Sequence, residues 1–156
     1  MEKNEKLIEV LNDLIQINND RIAGYEKAIV SVDAGDVNLK ATFRRMADKS
    51  EGYRRMLTSA VLNLGGEPAE GTTNSGKIYR AWMSVKNTFT GDDRQSVLES
   101  CEGGEDAALK AYREALNSDV DMHAETRQLL LSQQAELKIA HDTIKDFRDQ
   151  HASVHS

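Results

Sequence analysis

The sequence has few of the residues that cross-link, interrupt or anchor a chain. It contains one cysteine, one proline and only 5% aromatic residues among 156 positions. The single cysteine, Cys101, excludes an internal disulfide bond and a cysteine-rich zinc site. The lone proline, Pro68, leaves long stretches free to form uninterrupted helices. No apolar run approaches the length of a membrane span, and the N-terminus lacks the apolar region of a signal peptide. We therefore expect a cytoplasmic protein with no membrane partner.

Acidic residues outnumber basic residues by 26 to 20, which gives a formal net charge of -6. This balance disfavours binding to nucleic acid, and the chain has no basic tail of the kind that a DNA-coating protein would use. With 39% hydrophobic residues, the chain is long enough to form one domain with its own core. We assign that domain to residues 1–150 and expect residues 151–156, which have no apolar pattern, to form a disordered tail.

Four segments carry apolar residues at helical spacing, which predicts an all-α protein. The predicted helices span about residues 5–33, 38–64, 93–116 and 119–150. Ser118 is well placed to cap the last of them. The connection over residues 66–92 contains the only tryptophan, Trp82, on the apolar face of a short fifth helix predicted over residues 76–89. We expect this short helix to dock on the other four.

Each of the four long helices has a polar residue near the centre of its apolar seam. These residues are Asn18, Ser50, Glu105 and Gln133. They predict a polar layer halfway along the bundle. In the third helix the layer adjoins Gly103 and Gly104, which together cost about 2 kcal/mol of helix stability relative to alanine. The two glycines predict close packing against the Trp82 helix or a partner's helix, or else a local irregularity of their own helix.

The lengths of the connections predict the topology. Short connections after the first and third helices make each of these helices antiparallel to the next one. The connection of about 25 residues between the second and third helices can cross the length of the bundle, which leaves those two helices parallel. One long crossover is typical of the ferritin-like four-helix bundle. The alternative is an all-antiparallel bundle with a long wandering loop.

Four separate segments of the chain resemble a bacterial ferritin-like four-helix-bundle family of unknown function. They are Leu11–Ala28, Leu64–Pro68, Arg80–Lys86 and Cys101–Asp106. The similarity is good over residues 5–116 and loose over the last helix. It implies the ferritin-like fold, and it implies no established activity.

Di-iron members of the wider ferritin-like superfamily place one glutamate on each of two helices and a Glu-x-x-His pair on each of the other two. The chain lacks these pairs, because Glu51 is followed three residues later by Arg54, and Glu136 by Ile139. Acidic residues and one histidine remain as candidate ligands of iron or another divalent metal. They are Glu26, Glu102, Glu105, Asp106 and His141, together with Asp20.

Several of these candidates have a second interpretation. Glu105 is also consistent with a buried acid that accepts hydrogen bonds from tyrosines in a network that fixes the register of the helices. The tyrosines in range are Tyr25, Tyr53 and Tyr112. Glu102 and Asp106 are consistent with a solvated surface, and His141 with a surface or network histidine. Cys101 is expected to be a small core residue.

Two functions are compatible with these patterns. The incomplete ligand set favours a non-catalytic structural or stress-related interaction module over an enzyme. We expect this module to be a homodimer. The alternative is a carboxylate-rich protein that binds iron, or a di-iron centre, in an oxidative or storage role.

Overall fold

The computed structural model describes residues 2–73, 79–80, 82–83 and 94–155, with side chains from residue 4 to residue 150 within those ranges. The described residues form four long helices, as predicted. They are α1 (Glu2–Ser31), α2 (Val37–Asn63), α3 (Arg94–Asn117) and α4 (Ala124–His155). None of these helices has the length and apolarity that a membrane span requires. Residues 79–80 and 82–83 are helical, and the rest of the predicted fifth helix lies outside the described residues.

The helices form a square in which α1 packs on α2 and α3, and α4 packs on the same two helices. The start of α1 shares a core cluster with the end of α3, through Leu7 and Leu116. The end of α1 shares the other cluster with the start of α3, through Ala28 and Val97. These contacts make α1 antiparallel to α3. Because α1 is also antiparallel to α2, the second and third helices are parallel, which confirms the predicted long crossover.

The apolar core is divided into two clusters by a polar layer. One cluster contains Leu14, Leu57 and Ala108, and the other contains Phe43 and Leu98. The four polar residues predicted for the middle of the bundle are all buried between or beside these clusters. They are Asn18, Ser50, Glu105 and Gln133, with exposed fractions of 0, 0, 0 and 1%. The polar layer predicted from the seams is therefore confirmed.

The connection between α3 and α4 is longer than the sequence predicts. The hydroxyl of Ser118 donates to the carbonyl of Ala115, at the end of α3, so Ser118 does not cap α4. The chain then runs without helix as far as His123, and α4 begins at Ala124. Val120 and Met122 in this segment pack against the core, which favours an extended path over an earlier start of the helix.

The far end of α4 also differs from the prediction. The helix continues to His155, past the expected end at residue 150. The segment 151–155 contains neither glycine nor proline, so nothing in it terminates the helix.

The start of the crossover is fastened along α1 by polar side chains. The Asn12 amide donates to the carbonyl of Glu67 at 3.0 Å and accepts the backbone N–H of Ala69 at 2.8 Å. Further along the helix, Asp20 accepts hydrogen bonds from the backbone and the hydroxyl of Thr73. The crossover therefore follows α1 from its first turns to its middle.

Trp82 fills the groove between α1 and α3, and two glycines make room for it. Its indole is fully buried and lies edge-on to the ring of Tyr25, with ring centroids 5.2 Å apart. A Cβ atom on Gly24 would lie 2.1 Å from the indole, and one on Gly104 would lie 2.4 Å from it. The predicted close packing against the segment of Trp82 is therefore confirmed for Gly104. Gly103 faces open space.

We predict opposite effects for alanine at the two neighbouring glycines of α3. Gly104→Ala should lower the free energy of unfolding by about 1–3 kcal/mol, because the new methyl group overlaps the packed indole. Gly103→Ala should raise it by up to about 1 kcal/mol, because alanine favours the helix and meets no neighbour. Urea unfolding of both variants measures the difference. Equal effects at the two positions would show that the indole is not seated against Gly104.

Candidate functional site

The centre of the polar layer is an ion pair between Arg21 of α1 and Glu105 of α3. The guanidinium Nε lies 2.5 Å from Glu105 Oε1, and Nη2 lies 2.8 Å from Oε2. The third nitrogen, Nη1, donates to the hydroxyl of Ser50 in α2. Exposed fractions are 1% for Arg21 and 0% for Glu105. A bidentate pair of this kind joins two charges and also fixes the plane of the guanidinium relative to the plane of the carboxylate.

The geometry of the pair favours the charged form of Arg21. Burial alone would lower the pKa of Arg21, but the adjacent Glu105 carboxylate, together with Tyr25 and Tyr53, outweighs that effect and raises the pKa above its usual range. The guanidinium also lies 5.5 Å from the centroid of the Tyr25 ring, within the range of a cation–π contact. Burial, followed by the charge of Glu105, raises the pKa of Tyr25, so this phenol is neutral at any physiological pH.

A second chain of hydrogen bonds completes the polar layer. Asn18 donates to the hydroxyl of Tyr112 at 2.9 Å, and that hydroxyl donates to Gln133 at 2.6 Å. The amide of Gln133 donates in turn to the backbone carbonyl of Tyr53. Together with the ion pair, this chain joins all four helices at one level.

Glu105 is a buried acid, but its partner is not one of the expected tyrosines. Its two oxygens accept from Arg21, as described above. Among the tyrosines, Tyr112 bonds to Asn18 and Gln133, and Tyr53 donates to Glu136 at 3.2 Å. Glu105 is therefore satisfied by the cation and not by a tyrosine.

Arg21 is the residue that the sequence-based prediction missed. It was available from the pattern, because Leu14, Asn18, Arg21 and Tyr25 follow one another in steps of four, three and four along the seam. A long charged side chain is usually solvated, and this tendency favours the surface for any arginine. The informative signal was the matching acid on another seam, since a charge buried at the centre of a core requires a partner.

The other candidate ligands fall in three places. Glu26 is exposed on α1, and Asp20 is buried and holds Thr73 of the crossover. Glu102, Asp106 and His141 come together at the outer seam between α3 and α4, where one ligand atom of each lies within 4.8 Å of the others. The structure thus joins three of the five predicted ligands and separates Glu26 and Glu105 from them.

The residues of the polar layer do not fit the iron centre that a ferritin-like bundle suggests. Both oxygens of its only described carboxylate, Glu105, are engaged by a guanidinium, which would repel a metal cation. The remaining members, Asn18, Ser50, Tyr112 and Gln133, are neutral and are bonded to one another, to Arg21 or to the backbone. Iron requires several anionic or imidazole ligands, and the described part of the layer provides none that is free.

The square of four helices with one long crossover and a polar layer in its core defines a ferritin-like four-helix bundle. Residues 6–118 match the family described as a domain of unknown function, DUF2383. This match spans well over half of the chain, and the protein belongs to that family. No curated protein matches the sequence.

Solved structures confirm the fold. A mutant of Dps1 from Mycobacterium smegmatis has a TM-score of 0.74 at 15% identity, and the alignment covers 94% of this chain and 97% of that one. The dodecameric thioferritin of Bacteroides fragilis, a bacterioferritin-related protein, has a TM-score of 0.78 at 16% identity, with 97% and 89% covered. The tetragonal form of Mycobacterium smegmatis Dps has a TM-score of 0.76 at 15% identity, and the alignment covers 94% of this chain and 87% of that one. Identities this low show a shared fold only.

We predict strong coupling between Arg21 and Glu105 in a double-mutant cycle. Arg21→Met or Glu105→Leu alone should lower the free energy of unfolding by about 3–5 kcal/mol, because each leaves an unpaired charge in the core. The double variant should lose less than either single variant, because it leaves no charge behind. Urea unfolding of the four proteins measures the coupling.

The exposed pair of Lys49 and Glu136 is the matched control. Its atoms are 2.9 Å apart, but the side chains are 55% and 44% exposed. The same cycle on this pair should give a coupling below about 1 kcal/mol. Coupling of similar size in the two cycles would contradict a buried, desolvated pair at the centre of the bundle.

Proposed function

We propose that this protein is a non-catalytic ferritin-like module in which an arginine has taken the place of a metal at the centre of the bundle. The observation that carries the proposal is the bidentate contact of Arg21 with Glu105, at 2.5 and 2.8 Å, in a fully buried layer. A fixed cation here does for the acidic residue what a bound metal would do in an iron-binding bundle. It neutralises the acid and ties the helices together.

Electrostatics supports this proposal. Two unit charges about 4 Å apart interact by about 4 kcal/mol at the effective dielectric constant of a protein, so repulsion by the guanidinium would cancel most of the attraction that Glu105 offers a divalent cation. Displacing Arg21 would not solve the problem, because its side chain is 1% exposed and would lose its contacts with both α2 and α3. The core is thus built to hold its shape and not to exchange ions.

The proposed role is interaction with copies of the same chain. Six large apolar side chains are between 41 and 67% exposed on the described surface. They are Val30, Val37, Met56, Leu62, Leu131 and Ile139. Assembly is also a property of the thioferritin of Bacteroides fragilis, which is dodecameric. We propose a homodimer in the cytoplasm as the working state, acting as a structural or stress-related scaffold.

Anaerobic addition of Fe(II) followed by air tests the non-catalytic core. We expect no near-ultraviolet absorption of an oxo-bridged ferric pair, because the layer around Arg21 offers no free ligands for two irons. The titration should be repeated on His141→Asn. This variant removes the histidine that lies beside Glu102 and Asp106 and leaves the polar layer intact.

The paired titration distinguishes iron bound in the polar layer from iron bound beside His141. An oxo-bridged signal that persists in His141→Asn would place iron in the core and overturn the proposal. The absence of an oxo-bridged signal from both proteins, with native helical content by circular dichroism, supports it.

Analytical ultracentrifugation tests the proposed assembly. The chain has a mass of 17.4 kDa, and we expect a species of twice that mass at micromolar concentration. Replacing an exposed apolar residue at the interface should shift the protein toward the monomer. Ile139→Lys and Met56→Lys are the variants to compare, because these side chains are 66% and 55% exposed and contribute nothing to the core. A monomer at every concentration would contradict the dimer.

A further inference from the structure

Three potential metal ligands converge at the outer seam between α3 and α4, away from the polar layer. Glu102 and Asp106 lie one turn apart on the same face of α3, and His141 of α4 faces them. Its Nε2 is 2.7 Å from Asp106 Oδ1 and 3.7 Å from Glu102 Oε2. Glu102 and His141 are each only 13% exposed, so their packing against the two helices restricts their rotamers.

The other nitrogen of His141 is also held by a carboxylate. Its Nδ1 lies 3.0 Å from Asp142 Oδ1, and Asp142 is in turn bonded by Lys138 at 2.9 Å. A neutral imidazole has one N–H, so one of its two nitrogens must present a lone pair to a carboxylate. If Nδ1–H donates to Asp142, the lone pair of Nε2 points at the two acids of α3. That arrangement is repulsive unless a proton or a metal cation lies between them.

The charges around His141 favour an added cation. Four carboxylates surround the site, and they belong to Glu102, Asp106, Asp142 and Asp149. Two cations face them, since Arg148 contacts Glu102 and Asp149, and Lys138 contacts Asp142. Counted without the imidazole, these described groups carry an excess of two negative charges.

We infer that Glu102, Asp106 and His141 form a mononuclear binding site for a first-row divalent transition-metal ion. Two donor atoms on one ion at about 2.1 Å lie about 3.0–3.4 Å apart in octahedral or tetrahedral geometry. The observed separations of 2.7 and 3.7 Å from Nε2 bracket that range, so small side-chain rotations would admit the ion.

The donor set selects the kind of ion. One imidazole with two carboxylates suits Zn²⁺, Co²⁺, Mn²⁺ or Fe²⁺ better than Mg²⁺ or Ca²⁺, which prefer oxygen alone. Among the transition metals, Zn²⁺ should bind more tightly than Co²⁺ and Co²⁺ more tightly than Mn²⁺. Asp142 has the role of the carboxylate that commonly fixes the second nitrogen of a metal-bound histidine. Three protein ligands leave at least one coordination position for water.

This site is independent of the function proposed for the core. It shares no residue with the polar layer, and it binds one ion rather than two. Failure of the cation site would leave the Arg21–Glu105 pair unchanged, and iron in the core would be detected by the oxo-bridged signal in the absence of His141.

Titration of the full-length chain with Co²⁺ and Zn²⁺ tests the inference. We expect one ion per chain by calorimetry, and visible d–d bands of Co²⁺ that Zn²⁺ abolishes. His141→Asn should weaken binding at least 100-fold, and Asp142→Asn should weaken it about 10–100-fold through the orientation of the imidazole. The control is His123→Asn, which alters an exposed histidine just before α4 and should leave the affinity unchanged.

Two results would overturn the inference. One is the absence of saturable Co²⁺ or Zn²⁺ binding in the micromolar range, which would show an ion-pair cluster only. The other is equal affinity in the parent protein and in His141→Asn, which would show binding by scattered surface acids. Circular dichroism of each variant confirms that a loss of affinity is not a loss of fold, as expected for side chains at the rim of the bundle.

Discussion

The structure depends on one buried ion pair. Arg21 and Glu105 join α1 to α3, and the contact of Arg21 with Ser50 adds α2. A buried pair contributes little net stability, because desolvation of the two charges offsets most of their attraction. Its expected effect is on specificity. A helix that slides by one turn, or rotates by one position, leaves an unpaired charge in an apolar core. The pair therefore selects a single register for the two apolar clusters above and below it.

The position of Trp82 follows from the same constraint. The indole lies over Gly24 and Gly104, and these residues come three positions after Arg21 and one before Glu105. The crossover thus places its largest apolar side chain beside the ion pair and in contact with Tyr25. The indole, Arg21 and Glu105 are all fully buried, and the low polarity of a buried environment strengthens the interaction of the ion pair. Glycine at position 104 destabilises the helix relative to alanine, but only glycine leaves room for the indole.

Much of the fold could be predicted from the sequence. The spacing of apolar residues determines each helix, and the length of each connection determines whether neighbouring helices are parallel or antiparallel. The positions of Asn18, Ser50, Glu105 and Gln133 in the apolar seams are sufficient to predict the polar layer. The partner of Glu105 could not be predicted with the same certainty, since it depends on the rotation of α1 against α3. The predicted start of α4 was wrong for a related reason. The hydroxyl of Ser118 can serve either helix, and tertiary packing of Val120 and Met122 decided between them. The grouping of Glu102, Asp106 and His141 likewise depends on how two helices face each other.

A crystal structure of protein grown with excess Fe²⁺, with anomalous diffraction recorded at the iron edge, tests most directly whether Arg21 replaces a metal in the core. We predict no anomalous peak between α1 and α3 at the level of Ser50, and both contacts of Arg21 with Glu105 intact. An anomalous peak beside Glu105, with the guanidinium displaced from the carboxylate, would contradict this prediction. Such a result would make the arginine a gate to a metal centre rather than its substitute.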